Sequence, residues 1–222
     1  MSAPGSIRGI LFDFGGVIHD MRWDVAEELE QAHRLPRGAL FETLYRTPTW
    51  AALQCGRGDR QAWLEEAHRL LEARAGRPLP RLHDGWRAAQ RVITENVALV
   101  RALRPRYRTA ILSNADASLR ARLRDGLGIE DLFDEIISSA EVGVAKPDPA
   151  IYRLAAERLG LPPEACVFVD DFEANVVAAR HTGMSALHFR VDRGHDLRAQ
   201  LAALGIAPAG EAPSGGRPAG VS

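Results

Sequence analysis

Apolar positions along this chain follow two rhythms, and the change between them divides it. The opening segment "IRGILFDF" (residues 7–14) is a short, nearly continuous apolar run broken by "GGV", the pattern of a strand buried on both faces. From His19 to Thr94 the apolar residues instead recur at helical spacing. The stretches "WDVAEELEQAHRL", "RGALFETLYRT" and "RQAWLEEAHRLLEARAG" predict helices separated by Gly, Pro and Asp breaks, with no strand among them. After Thr94, strand-like and helix-like segments alternate. "NVALVRALRPRY" predicts a helix, "TAILSN" a strand, "ADASLRARLRDGLG" a helix closed by Gly, and "FDEIISS" a strand. "DPAIYRLAAERLG" predicts a helix with Asp148 as N-cap, Pro149 at the first helical position and Gly160 past its end. "ACVFVDD", "EANVVAARHTG" and "SALHF" then predict strand, helix and strand. Such alternation implies βαβ units and a mostly parallel sheet. The expected fold is α/β: a doubly wound, Rossmann-like core from residues 1–18 and 95–207, with an inserted α-helical cap from 19–94. The Pro-, Gly-, Ala- and Ser-rich end, residues 208–222, is expected to be disordered.

Composition narrows the function classes. A chain of 222 residues with 46% hydrophobic and 26% charged residues is ordinary for a soluble globular protein. A formal net charge of −1 gives no electrostatic footprint for nucleic acid or a membrane surface. No apolar run approaches the ~20 residues that span a bilayer, and the N-terminus carries no signal-peptide pattern. Cys55 and Cys166 stand far apart, which argues against a disulfide framework or a zinc site and suits a reducing cytoplasm.

Polar residues then collect where the strands end. Asp13 follows the first strand, Ser113 and Asn114 follow "TAIL", and Asp170 and Asp171 follow "CVFV". Lys146, the only lysine in a chain that otherwise uses arginine, lies beyond "IISS". Carboxyl ends of parallel strands are where α/β proteins build their sites. Taken singly, each residue has a plainer reading: Asp13 as a turn residue, Ser113–Asn114 and Asp170–Asp171 as helix caps, Lys146 as a surface charge. Taken together, three carboxylates in one crevice require positive charge, from Lys146 and from a hard divalent cation. That combination suits a phosphate, with Ser113 and the Gly15–Gly16 turn as hydrogen-bond donors and Asp13 as nucleophile.

Four segments in order, "FDFGGV", "ILSN", "AKPDPAIY" and "VFVDDFEANVVAARHTGM", make the chain resemble the haloacid dehalogenase superfamily. The helical insert is similar to the cap of the group containing the phosphatase domain of soluble epoxide hydrolase and a bacterial sugar-1-phosphate phosphatase. The resemblance implies a Mg²⁺-dependent phosphatase acting on a small phosphorylated metabolite through an aspartyl-phosphate. It implies Asp13, Lys146 and Ser113 as catalytic residues and Asn114, Gly15, Gly16 and His19 as substrate-binding residues. It further implies Asp13, the Gly15 carbonyl, Asp171 and Asp170 around the metal, Asp170 through water or by orienting ligands. One departure stands out. The family pattern D-x-D has its second Asp replaced by Gly15, removing a general acid–base group worth about 10²–10⁴-fold. His19 is the nearest titratable substitute. A 2-haloacid dehalogenase and a catalytically weak phosphate-binding module are the alternatives. Trp23, Trp50 and Trp63, at helical spacing, are read as core. Periodicity alone does not reveal the substrate or an oligomeric state.

Overall fold

The computed structural model describes residues 6–211. The expected tail falls mostly outside them. Residues 208–211 are described and form a turn, with Pro208 buried and Glu211 paired to Arg198 at 2.8 Å. That part of the disorder expectation is therefore corrected.

Strand β1 (Gly9–Phe12) is buried along its whole length. Two short strands, β2 (His19–Asp20) and β3 (Arg91–Val92), pair antiparallel where the chain leaves and re-enters the sheet region. The sequence reading found no strand here, because two-residue elements carry no periodicity. Between β2 and β3 run α1 (Trp23–Ala32), α2 (Ala39–Tyr45), α3 (Pro48–Leu53), α4 (Arg60–Ala75) and α5 (Leu82–Ala89). These helices bury a cluster of their own that includes Leu40, Leu44, Trp63, Leu71 and Trp86.

The remainder alternates as expected. It runs α6 (Thr94–Leu103), β4 (Arg108–Ser113), α7 (Leu119–Ala121), β5 (Glu135–Ser138), α8 (Ser139–Val142), α9 (Pro149–Arg158), β6 (Cys166–Asp170), α10 (Glu173–His181), β7 (Ser185–His188) and α11 (Leu197–Ala202). "ADASLRARLRDGLG" is not one regular helix: α7 gives way to a π-helical turn over Arg122–Gly126. At α9 the Asp148 carboxylate caps the Ala150 N–H at 2.8 Å, as its punctuation predicts.

The five-stranded sheet has the order β5-β4-β1-β6-β7, all parallel. The strand period of two sorts the side chains. Ile10, Phe12, Ile111, Val167 and Val169 pack on the face covered by α6, α7 and α11. Leu11, Ala110, Leu112 and Phe168 pack against α9 and α10. With both faces covered, only the strand ends are open to carry polar groups. Chain order reverses on either side of β1, which puts a crevice at its carboxyl end. No helix among the described residues is long and apolar enough to cross a membrane.

Candidate active site

Asp13 leaves β1 at that crevice, its N–H donated to the Val169 carbonyl of the neighbouring strand at 2.8 Å. Its Oδ1 accepts from the Phe14 N–H at 2.6 Å and lies 3.0 Å from Lys146 Nζ. Lys146 Nζ donates to Asp170 Oδ2 at 2.6 Å and sits 5.2 Å from the centre of the Phe168 ring. The lone lysine is 4% exposed and bridges two buried carboxylates. Burial pulls its ammonium down, but Asp13 and Asp170 more than offset that, so it is held charged.

Asp170 is saturated. Its Oδ1 accepts from the Phe172 N–H at 2.7 Å, and the Asn175 amide donates to both oxygens at 3.0–3.1 Å. It anchors Lys146, in keeping with the orienting task expected of it, and its carboxylate still belongs to the acidic group close enough together to hold a metal ion. Asn175 is itself fixed, its carbonyl accepting from the Tyr152 hydroxyl at 3.0 Å.

Asp171 contrasts with its neighbour. Its Oδ1 is buried and has no hydrogen-bond partner among the described residues. Burial, then Asp13 and Asp170, push its carboxyl well above the usual range. Asp13 is raised to about 6 by burial, although Lys146 and the Ser113 hydroxyl work the other way. Asp13, Asp170 and Asp171 place one oxygen each within 4.8 Å of one another. One lysine does not balance three buried carboxylates, and the unpartnered Asp171 oxygen is the clearest sign of the deficit. All-oxygen donors of this kind fit a hard divalent cation such as Mg²⁺. The Gly15 carbonyl accepts no backbone hydrogen bond among the described residues and adds a donor of the same type.

The turn after Asp13 corrects two expectations. The Gly16 N–H is donated to the His19 carbonyl at 2.7 Å, so it is not available to a phosphate. Gly16 is required for another reason: its φ is +77°, and a Cβ there would lie 2.3 Å from the Asp171 carboxylate. The Asn114 carboxamide, expected to meet substrate, is engaged at both ends by the Lys146 backbone, each bond 2.8 Å. It positions the lysine. His19 lines the cavity with its ring stacked on Phe14 at 5.0 Å. Burial, and then the Arg122 charge, lower it to about 4, so the imidazole is neutral at pH 7 and a poor proton donor there. At Gly15, a Cβ would approach only the Met21 sulfur, at 3.2 Å, so the place of a missing side chain is partly filled by Met21.

Above the carboxylates opens a cavity of about 650 Å³, ordinary for a small-molecule site. The helical segment closes over it, with Phe41 stacked on Phe172 at 5.6 Å and Arg60 paired with Asp116 at 3.2 Å. Trp50 and Trp63, read as core, both pack in the helical cluster and line this cavity, whereas Trp23 packs on Phe41 and Trp86 away from it. Arg46, Arg87 and Arg122 also line it, and sequence reading missed them. In an arginine-rich chain nothing distinguished these three from surface charges. Cys166 is buried, its thiol pushed up to about 11 by burial, while Cys55 is half-buried.

A parallel α/β core with an aspartate crevice under helices defines a hydrolase scaffold. Residues 7–183 match the haloacid dehalogenase-like hydrolases, and the chain belongs to that family. It is 33% identical to Phosphatase MT3486 of Mycobacterium tuberculosis, over 87% of this chain and 91% of that protein. A longer mouse relative, 28% identical, is spanned over only 20% of its length. Among solved structures, a predicted HAD-like family hydrolase from Porphyromonas gingivalis superposes with a TM-score of 0.65 at 25% identity, covering 90% of this chain and 98% of that one. The L-2-haloacid dehalogenase of Xanthobacter autotrophicus superposes with a TM-score of 0.57 at 26% identity, covering 81% and 76%.

Proposed function

We propose that the protein is a Mg²⁺-dependent phosphatase that hydrolyses a small phosphorylated metabolite through an aspartyl-phosphate on Asp13. The observation that carries this reading is the charge deficit: three converging buried carboxylates, one lysine, and an unpartnered oxygen on Asp171. The similarity to Phosphatase MT3486 supports the phosphatase part of this reading. Asp13, Asp171 and the Gly15 carbonyl would hold the ion, which when bound neutralises phosphoryl oxygens.

The chain's own groups do the rest. Lys146 keeps Asp13 ionised and faces the incoming phosphoryl group. The Asp13 carboxylate attacks phosphorus, the bond to the leaving oxygen breaks, and water later cleaves the acyl-phosphate to return Asp13 and release phosphate. Ser113 donates to the phosphoryl oxygens. Helices α1–α5 act as a cap that excludes water. No side chain at Gly15 protonates the departing oxygen, and His19 is neutral. The reading therefore favours substrates whose leaving group departs readily, such as anomeric or acyl phosphates.

A dehalogenase is the second reading, favoured by the dehalogenase superposition. Displacing halide with Asp13 needs no cation, so the unpartnered Asp171 oxygen, which a cation would satisfy, counts against it. Gly15 alone favours a weak phosphate-binding module. The deciding experiment is phosphate release from anomeric, acyl and alkyl phosphates, with Mg²⁺ and with EDTA, by wild type and Asp13→Asn. Metal-dependent release abolished by Asp13→Asn is expected. No release from any substrate by folded, Mg²⁺-loaded protein would overturn the phosphatase reading and make a haloacid assay the next step.

A further inference from the structure

The cavity wall also carries arginines that the phosphate chemistry does not use. Its carboxylates Asp13 and Asp171 belong to the Lys146 end, and its other acid, Asp116, is already paired with Arg60 at 3.2 Å. Other arginines nearby are engaged as well: Arg74 with Glu42 at 2.6 Å, and Arg120 with Glu130 and Glu141 at 3.5 and 3.3 Å. Arg46, Arg87 and Arg122 pair with no carboxylate among the described residues, and all three line the cavity. They come from three places: the end of α2, the body of α5 and the π-helical turn.

Each guanidinium has an aromatic ring nearby. The central carbon of Arg46 is 5.5 Å from the Phe41 ring centre, that of Arg87 5.8 Å from Trp63, and that of Arg122 5.3 Å from Phe14. Stacking of this kind engages a guanidinium's face and leaves its N–H edges free to bond an anion. Like charges also gather here. The Arg122 guanidinium is lowered by burial, raised in part by Asp116, and lowered further by Arg87 and Arg60. Tyr45, the last residue of α2 and part of the cavity wall, feels both Arg87 and Arg122. Asp116, already paired with Arg60, is the one acid acting on these cations, so they repel one another until an anion joins them.

We propose that Arg46, Arg87 and Arg122 form a second anion subsite, so that the substrate is a phosphomonoester carrying a further carboxylate or phosphate. This deepens the phosphatase reading and rests on it. A neutral sugar phosphate would leave the arginines unanswered, and the aromatic walls would contact the substrate's body between the two charged ends.

The test holds the leaving group constant and varies only the far end. Glucose 1-phosphate, glucuronic acid 1-phosphate and glucose 1,6-bisphosphate share an anomeric phosphate and differ at carbon 6: hydroxyl, carboxylate or phosphate. With Mg²⁺, wild type is expected to favour one or both doubly anionic substrates in kcat/KM by roughly 10-fold to 100-fold, the range of charge-assisted hydrogen bonds. Arg87→Met and Arg122→Met should collapse that ratio toward one, chiefly through KM, with the far-UV circular dichroism of the folded protein retained. Equal kcat/KM for all three in wild type, or a ratio that neither variant moves, would overturn the subsite and leave the phosphatase standing. If none of the three releases phosphate, calorimetric binding to Asp13→Asn decides: a preference for the doubly anionic ligands supports the subsite, and equal affinities sink it.

Discussion

Replacing Lys146 by methionine tests the charge arrangement most directly. The variant keeps an unbranched apolar stem of nearly the same shape and loses the ammonium. At an effective dielectric constant of about 20, unit charges 2.6–3.0 Å apart attract by roughly 5–6 kcal/mol per pair. Removing the ammonium's own burial cost offsets much of that gross figure. What remains is two buried carboxylates, Asp13 and Asp170, facing each other without a cation. Breaking a buried pair in this way costs about 3–5 kcal/mol, a large part of the ~5–15 kcal/mol that keeps a domain folded. The assay is urea unfolding in EDTA, followed by tryptophan fluorescence and circular dichroism. Lys146→Met/Asp170→Asn should recover part of the lost stability, since one orphaned charge is gone, and should recover none of the activity. A loss below about 1 kcal/mol for the single variant, or a double variant no more stable than it, would refute the claim that the two carboxylates depend on this lysine.

Other consequences follow from single residues. Gly16→Ala should abolish Mg²⁺-dependent thermal stabilisation and cost at least the ~1–2 kcal/mol of a left-handed backbone, because its Cβ would displace Asp171; Gly15→Ala, which meets only Met21, should keep the metal response, and calorimetric melting separates the two. Asp171→Asn should raise stability in EDTA yet lose the shift in Tm on adding Mg²⁺; an undiminished Mg²⁺ shift would remove Asp171 from the metal site. His83, buried and bonded to the Thr43 hydroxyl at 2.9 Å, is lowered to about 4 by burial. Its folded value lies below the unfolded one, so the unfolded state takes up the proton first and stability falls as pH drops from about 6.5 toward 4, by about 2 kcal/mol at pH 5. Chemical unfolding of His83→Gln should show a correspondingly flatter acid limb, and identical limbs would contradict the assignment. Gly15→Asp should improve turnover of alkyl phosphates relative to anomeric ones; an unchanged ratio would mean that the missing acid is not what limits them.

Much of the architecture was legible because it depends on neighbours in the chain. A run such as "CVFV" is apolar at every position since both faces of its strand are covered, and the polar residues that follow mark the strand's open end. Asp13, Ser113, Asp170 and Asp171 could be read that way, and so could the caps of α9. The π-helical turn after α7 could not, because "RLRDG" contains nothing that forbids a regular helix. The β2–β3 pairing was invisible for a different reason: its two partners lie on opposite sides of five helices.

What each site residue does was decided by tertiary contacts. Sequence placed Asp170 and Asp171 side by side as similar acids. The fold gives Asp170 four hydrogen bonds and leaves an oxygen of Asp171 with none. Asn114 turned from a substrate ligand into a support for Lys146, and the Gly16 N–H was taken up by His19. Three arginines that pair with no carboxylate among the described residues came to line one cavity only when the helical segment closed over the sheet. The sequence by itself determined which segments are strands and helices and where polar groups emerge, because periodicity and capping act over a few residues. Charge pairing, desolvation and free hydrogen-bonding capacity depend on distances between atoms far apart in the chain, and only the tertiary structure decides those.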